Sequence, residues 1–399
     1  MGQPRRNIVI VGGSIAAVTA AQVLRAEGFD GAVTMLSAEA HLPYSRVPLS
    51  KAVLSGAAHR DTCAIPLSHD EIHVRLSQRA GGLDMQSRLV RLTSGEQVPY
   101  DGLIIATGAR ARRLAQPGQA GEFVVRDADD VEQLTQQLKT ANTAVIVGAG
   151  FLGMEIASTC MKLGLQVTVI DRDPPLRRLL GEWLSSFVVA RAETFGVHFL
   201  LAPQGVALIG LPSIRGVGVG GDVVEGDVVI SAVGDIPNSE WLAESPLEVL
   251  RGAVVVDSRC VAAPDVVAAG DIAAIRDDAG QVHRLPHWNN AVRQARSAAL
   301  SLLHGGDSPL AELDHYFSTE VFGLQIKVCG TIPDRTPPVI LERSDDGVSM
   351  VLQWLSSRGE PVAAAAVNRK MPVSKLRQLA TNMDLRDSGS EFGLAVASS

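Results

Sequence analysis

The sequence predicts an α/β protein: two strand–turn–helix–strand modules, followed by a small C-terminal α+β domain. Three observations predict it. A pattern of apolar strand, small-residue turn, apolar helix and second strand occurs twice, over residues 7–36 and 143–170. Apolar runs ending in glycine come after the modules at residues 102–108, 228–234 and 266–271, the form of buried parallel strands whose C-terminal ends face a ligand. From about Tyr316 the pattern changes to alternating strands, QIKVCG, VSMVLQWL and VAAAAV.

Composition narrows the class. At roughly 100–200 residues per domain, 399 residues allow two to four domains. With 46% hydrophobic and 20% charged residues, the chain is an ordinary globular one. A net charge of −7 leaves no overall basic footprint for nucleic acid. Six Lys stand against thirty Arg, so a Lys inside a motif is informative. The four Cys form no C-x-x-C pair, which excludes a zinc ribbon and a thioredoxin-type redox motif; no metal site is expected. No apolar run reaches the roughly 18 residues of a membrane span. The start, MGQPRRNIVIVGG, reads as a first strand and not as a signal peptide, so a cytoplasmic protein with reduced thiols is expected.

The first module turns through Gly12-x-Ser14-x-x-Ala17, with Ile15 and Ala16 between, and an acid, Glu39, lies just past its second strand. The second turns through Gly148-x-Gly150-x-x-Gly153-x-Glu155, with Phe151 and Leu152 inside the motif, and Asp171 ends its second strand 23 residues after Gly148. In such a Rossmann-like turn the first glycine permits the tight bend and the second admits a pyrophosphate to the backbone. The third lets the helix pack on the strand, and the helix N-terminus meets the phosphate charge. An acid at the strand end accepts hydrogen bonds from ribose hydroxyls and repels a 2′-phosphate. In residues 41–51, HLPYSRVPLSK, Pro43 and Pro48 fix an extended path that carries Lys51. After Asp271 an apolar-periodic helix, NNAVRQARSAALSLLHG, is closed by glycines. The last dozen residues are small and polar, and a frayed tail is expected there.

These motifs, in this order, resemble the FAD-dependent pyridine nucleotide-disulfide reductase superfamily. Within it, residues 7–370 are similar to the ferredoxin reductases that serve bacterial oxygenases. LPYSRVPLSK resembles L-P-Y-x-R-P-P-L-S-K with Val47 in place of a proline. YDGLIIATG, GAGFLGMEIA, AVGDIPN, VDSRCVAAPDVVAAGDIA and HWNNAVRQA match further elements. The resemblance implies FAD in the first module, cradled by Gly12, Ser14, Ile15, Ala16 and Ala17. Glu39 would lie on the adenosine ribose, Ala80 on adenine through its backbone, Arg46 and Lys51 facing the flavin, Asp271 on the ribityl and pyrophosphate region, and Arg126 and Gly270 as further FAD contacts. Ala106, Thr107, Gly108, His287 and Trp288 would complete that site. NADH, in preference to NADPH, would bind Gly148, Gly150, Phe151, Leu152, Gly153, Asp171 and Gly234. Catalysis would use a Lys51–Glu155 ion pair beside the flavin.

The implied domains are 1–117 with 242–316 for FAD, 118–241 for NAD(P)H and a C-terminal domain from 317 to 399. The implied activity passes hydride from NADH to FAD, then single electrons to an iron–sulfur ferredoxin. That ferredoxin would feed a haem-thiolate monooxygenase or a ring-hydroxylating dioxygenase. Arg75, Arg293 and Arg296 are candidate docking cations. Alternatives are an NADH oxidase, a quinone or rubredoxin reductase, or a redox-controlled interaction flavoprotein of the apoptosis-inducing-factor type. One departure stands out: Phe317-Ser318-Thr319-Glu320-Val321 replaces F-W-S-D-Q, so the active-site Trp of that motif is missing. Residues 1–54 contain no Cys, unlike disulfide reductases, and Cys63 and Cys160 read as buried thiols.

Overall fold

The computed structural model describes residues 6–67 and 71–381, so the expected frayed tail lies outside the described residues. The apolar runs become parallel strands. Asn7–Val11 pairs in parallel with Ala32–Leu36 on one side and Gly102–Ile105 on the other. Val266–Ala268 continues this sheet beyond Gly102–Ile105, and Val261–Ala263 and His73–Arg75 form its edges. Chain from two distant stretches therefore builds one six-stranded sheet. The helix Ile15–Ala26 packs there against the helix Trp288–His304 in one core. Small side chains permit the close approach: a Cβ on Gly270 would lie 3.1 Å from the Ala16 methyl and 3.7 Å from that of Ala291.

The second module repeats the arrangement. Thr143–Val147 pairs in parallel with Gln166–Asp171 and with Val228–Ser231, in a five-stranded sheet. Its helix is Phe151–Lys162. The C-terminal part is an antiparallel five-stranded sheet in the order Phe317–Val321, Leu324–Gly330, Pro361–Val367, Met350–Leu355 and Val339–Arg343. The helix Val373–Thr381 buries Leu376 and Ala380 in a core shared with Val351, Ala364 and Ala366 of that sheet.

Three local expectations shift. The glycine-ended runs are strands only as far as Ile105, Ser231 and Ala268; the chain then leaves the sheet before each glycine, as a ligand-facing strand end requires. The path through Pro43 and Pro48 is extended only as far as Ser45; Arg46–Pro48 turns, with Pro48 itself in the α-helical region and the Leu49 N–H donating to the Arg46 carbonyl at 3.1 Å. Residues Leu49–Val53 then form one wide helical turn, closed by the Val53 N–H donating to the Pro48 carbonyl at 3.1 Å. The helix after Asp271 begins at Trp288, not Asn289, with His287 as its N-cap.

Candidate active site

At the first glycine turn, Gly12 has φ +143°, and a Cβ there would lie 2.1 Å from the Ala106 carbonyl oxygen. No other residue type fits that approach. Ser14 is the N-cap of the helix Ile15–Ala26, and its side chain makes no capping bond, so the first amides of the helix face the turn. Two arginines border this turn. Arg46 pairs with Glu39, donates to the Arg126 carbonyl at 2.7 Å and reaches Ser14 Oγ at 3.5 Å. Arg126 donates to Asp271 Oδ2 at 2.7 Å and to the Ala109 carbonyl at 2.8 Å. Tyr44 donates to Glu39 at 2.6 Å and accepts from the Ala128 amide at 2.9 Å. Burial pushes its phenol up, so it stays a donor. The Gly270 amide donates to Gln294 Oε1 at 2.8 Å, which fixes the turn that carries Asp271. Glycine backbone, helix N-terminus and two guanidinium groups together make a donor set that fits a pyrophosphate.

The elements around this turn are tied to one another. Thr107 donates to the Asn238 carbonyl at 2.8 Å, and Asn238 returns a bond to the Thr107 carbonyl at 2.9 Å. Arg284 forks onto Asp235 at 2.9 and 2.6 Å and donates to the Asp271 carbonyl at 2.7 Å. Ala80 opens the strand Ala80–Asp84. Trp288 is 37% exposed, while burial lowers the basicity of its neighbour His287 against the pull of Asp314 and Asp271. The His287 ring accepts from the Asn289 amide at 3.3 Å.

The second turn has two such close approaches. Gly148 has φ +106°, with a Cβ position 2.3 Å from the Ala232 carbonyl oxygen. A Cβ on Gly153 would lie 1.8 Å from the Gly148 oxygen. Around Gly150 nothing lies within 4 Å of the Cβ position, and this residue caps the helix without a side chain. The middle glycine is therefore the open one, which fits an approaching phosphate. Asp171 accepts from the Ala149 amide at 2.6 Å with one oxygen and from the Arg172 amide at 2.6 Å with the other. Gly234 has φ +93°.

The two modules meet at Glu155, which is 8% exposed. Lys51 Nζ lies 2.7 Å from Glu155 Oε2, so the structure brings these two residues together across 104 positions of chain. Phe151, four residues earlier, packs its ring against Phe317 at 4.7 Å between centroids. Ser318, at the position of the missing Trp, points outward and is exposed.

A model of the pyridine nucleotide-disulphide oxidoreductase family matches residues 6–295. The chain belongs to this family. Membership makes it an FAD-dependent NAD(P)H oxidoreductase, with FAD and a pyridine nucleotide as its cofactors. The oxidoreductase is 33% identical to rhodocoxin reductase of Rhodococcus erythropolis over 98% of this chain and 94% of that protein. It is also 33% identical to the ferredoxin–NAD(+) reductase component of the biphenyl dioxygenase system of Paraburkholderia xenovorans (strain LB400), over 91% of this chain and 90% of that protein. The crystal structure of a covalent putidaredoxin reductase–putidaredoxin complex aligns with a TM-score of 0.82 at 26% identity, covering 94% and 93% of the two chains.

Several residues of this site are given no role by the sequence, although Ser50, Asp235 and Gln294 lie inside matched motifs. Ser50 and Thr319 both donate to Glu155, and Asp235, Arg284 and Gln294 brace the first turn. Their partners are remote in sequence, so no local spacing marks them. Arg75 ends the strand next to Ala32–Leu36 and forks onto Glu96 at 2.8 and 2.6 Å. Arg293 lies 3.4 Å from Asp314, which also accepts from Arg377 at 2.6 Å. Arg293 and Arg296 line a groove with Leu310 and Glu312. Among the described residues no cluster of His, Cys, Asp or Glu could hold a metal, and no helix is long and apolar enough to cross a membrane.

Proposed function

We propose that this oxidoreductase takes hydride from NADH and delivers electrons to an iron–sulfur ferredoxin that feeds a monooxygenase or a ring-hydroxylating dioxygenase. The carrying observation is the pair of half-buried Lys51 with buried Glu155 at the junction of the two glycine-turn modules, on a loop without cysteine. The relative named as the ferredoxin–NAD(+) reductase component of a biphenyl dioxygenase system supports the acceptor class. FAD, when bound, supplies the conversion of a two-electron hydride into single electrons. The chain's part is to hold and orient. Gly12, Ser14, Arg46 and Arg126 would bind the FAD pyrophosphate, and Gly148, Gly150 and Gly153 that of the nucleotide. Lys51 would set a positive charge beside the flavin, and Glu155 would hold it there.

The reading divides the chain into an FAD domain, 1–117 with 242–316, an NADH domain, 118–241, and a C-terminal domain; the shared six-stranded sheet supports the first. Asp171 at the strand end supports NADH over NADPH, since a carboxylate repels the 2′-phosphate. A cytoplasmic location fits an enzyme fed by NADH. Arg293 and Arg296 are the proposed docking cations for an acidic ferredoxin. Arg75 is the third candidate; it is paired with Glu96, as Arg293 is with Asp314.

The test is anaerobic stopped-flow. Purified protein should be yellow and release FAD on acid precipitation. NADH should bleach it, a ferredoxin should reoxidise it fast and oxygen slowly. Fast reoxidation by oxygen or quinone, with no response to any ferredoxin in a panel, would overturn the reading.

A further inference from the structure

Glu155 is held by more than its lysine. Its Oε2 accepts from Ser50 Oγ at 2.6 Å as well as pairing with Lys51, and its Oε1 accepts from Thr319 Oγ1 at 2.8 Å. Ser50 and Thr319 are 3% and 6% exposed, so these bonds are shielded from water. The donors come from opposite sides. Ser50 and Lys51 sit on the helical turn Leu49–Val53, whereas Thr319 sits in Phe317–Val321, the first strand of the C-terminal sheet. Strand alternation aims Phe317 and Thr319 at the same face, one onto Phe151 and the other onto Glu155. Further along the same helix, Thr159 donates to the Ser50 carbonyl at 2.8 Å and Ser158 accepts from the Phe322 amide at 2.8 Å.

We propose that Thr319 and Ser50 are positioning residues that act through Glu155 to fix where the Lys51 ammonium stands, so that the C-terminal sheet sets the electrostatics of the redox centre. This deepens the proposed function and rests on it. A buried carboxylate oxygen that loses its donor keeps the full cost of its desolvation. It can recover that cost only by turning towards the nearest remaining cation, Lys51. Thr319→Val removes the hydroxyl at nearly constant volume. The carboxylate then draws Lys51 towards itself and away from the ring it faces. A cation held farther from the ring stabilises the anionic reduced form less, and the flavin becomes harder to reduce. Ser50→Ala frees a bond to the oxygen that Lys51 already holds and acts in the same direction.

The readout is the midpoint potential of the bound flavin, measured by equilibration with redox dyes in the purified holoprotein. Thr319→Val is expected to shift the reduction equilibrium about tenfold towards the oxidised form, ~30 mV for a two-electron couple. Thr319→Ser, which keeps the hydroxyl, restores the wild-type potential, and Ser50→Ala lowers it. The rate of flavin reduction at saturating NADH falls in Thr319→Val while the KM for NADH stays unchanged. If Thr319→Val does not fold, Ser50→Ala and Thr319→Ser carry the same comparison. Bound FAD whose potential is equal in wild type and all variants overturns the role of Thr319 and Ser50 alone. A wild-type protein without FAD overturns the functional reading itself.

Discussion

Two glycines of one motif should respond differently to the same methyl group, one chiefly in stability and the other chiefly in binding. At Gly153 an added Cβ meets the Gly148 carbonyl oxygen at 1.8 Å and its carbon at 2.9 Å, both backbone atoms of the turn itself. Relief to the 3.0 Å that real contacts tolerate needs the turn and helix to part by more than an ångström. Overpacking of this kind costs about 1–3 kcal/mol, and alanine's helix propensity returns at most about 1 kcal/mol. At roughly 2–4 °C per kcal/mol for a unit of 150–250 residues, Gly153→Ala should lower Tm by several degrees, and NADH binding should weaken with it. Gly150 has φ −75° and an empty Cβ position, so Gly150→Ala should fold, losing no more than the ~1 kcal/mol by which glycine is preferred to alanine at an N-cap. Its methyl would nevertheless stand where the pyrophosphate approaches, and the Kd for NADH should rise at least tenfold. Differential scanning calorimetry, and titration calorimetry with NADH under anaerobic conditions, make the comparison on both variants, each loaded with FAD that has been reduced beforehand so that NADH binds without reacting. A Gly150→Ala protein that loses as much stability as Gly153→Ala, or that binds NADH like wild type, would refute this assignment of the two glycines.

Other outcomes rest on single contacts. Asp235→Asn should break the fork with Arg284 and cost about 1.5–3 kcal/mol in urea unfolding, because both side chains are largely buried. Asp171→Ala should narrow the NADH-over-NADPH ratio of kcat/KM, and an unchanged ratio would move the source of discrimination elsewhere. His287 is less basic in the folded chain than its ordinary value of 6.5, through burial. The unfolded chain therefore takes up this proton first, and the stability that neutral His287 contributes is lost as the pH falls below 6.5. His287→Asn keeps an N-cap acceptor and should flatten that part of the Tm-against-pH curve. All four cysteines are buried, and burial pushes the Cys160 thiol up to about 12. Ellman's reagent should find no thiol in the native protein within minutes and four in guanidinium.

The parts of the fold legible in the sequence are those where the backbone itself is under constraint. Gly12, Gly148 and Gly153 announce themselves because their turns exclude any side chain, and the apolar runs beside them can only be buried strands. The acids Glu39 and Asp171 are marked by their place at strand ends. Lys51 is marked by the rarity of lysine, but its pairing with Glu155 comes from resemblance, not spacing. The supporting contacts are illegible because they close over long separations. Thr319 reaches Glu155 across 164 residues and Arg284 reaches Asp235 across 49. The hairpin turn at Phe322 is hidden for another reason. Phe322 and Gly323 both have positive φ, at +50° and +73°, where Asn-Gly is the ordinary choice. The phenylalanine is retained there by burying its ring and donating its amide to Ser158. The kink in Arg177–Thr194 at Gly181, φ +65°, likewise answers to the backbone of Pro333 and Asp334 across the fold.

The helix Phe151–Lys162 has a bearing on how such a protein can be rebuilt. Glu155, Ser158 and Thr159 are buried polar residues on one helix, bonded to the lysine-bearing turn on one side and to the C-terminal hairpin on the other. Modules taken from two relatives can therefore be recombined only as a matched set. A chimera that imports a foreign C-terminal sheet must bring a hydroxyl at 319 and an amide presented as at Phe322. A chimera that imports a foreign second module must bring the helix acceptors that meet them. The seam for exchanging parts lies along this helix, and not at the boundaries between sheets.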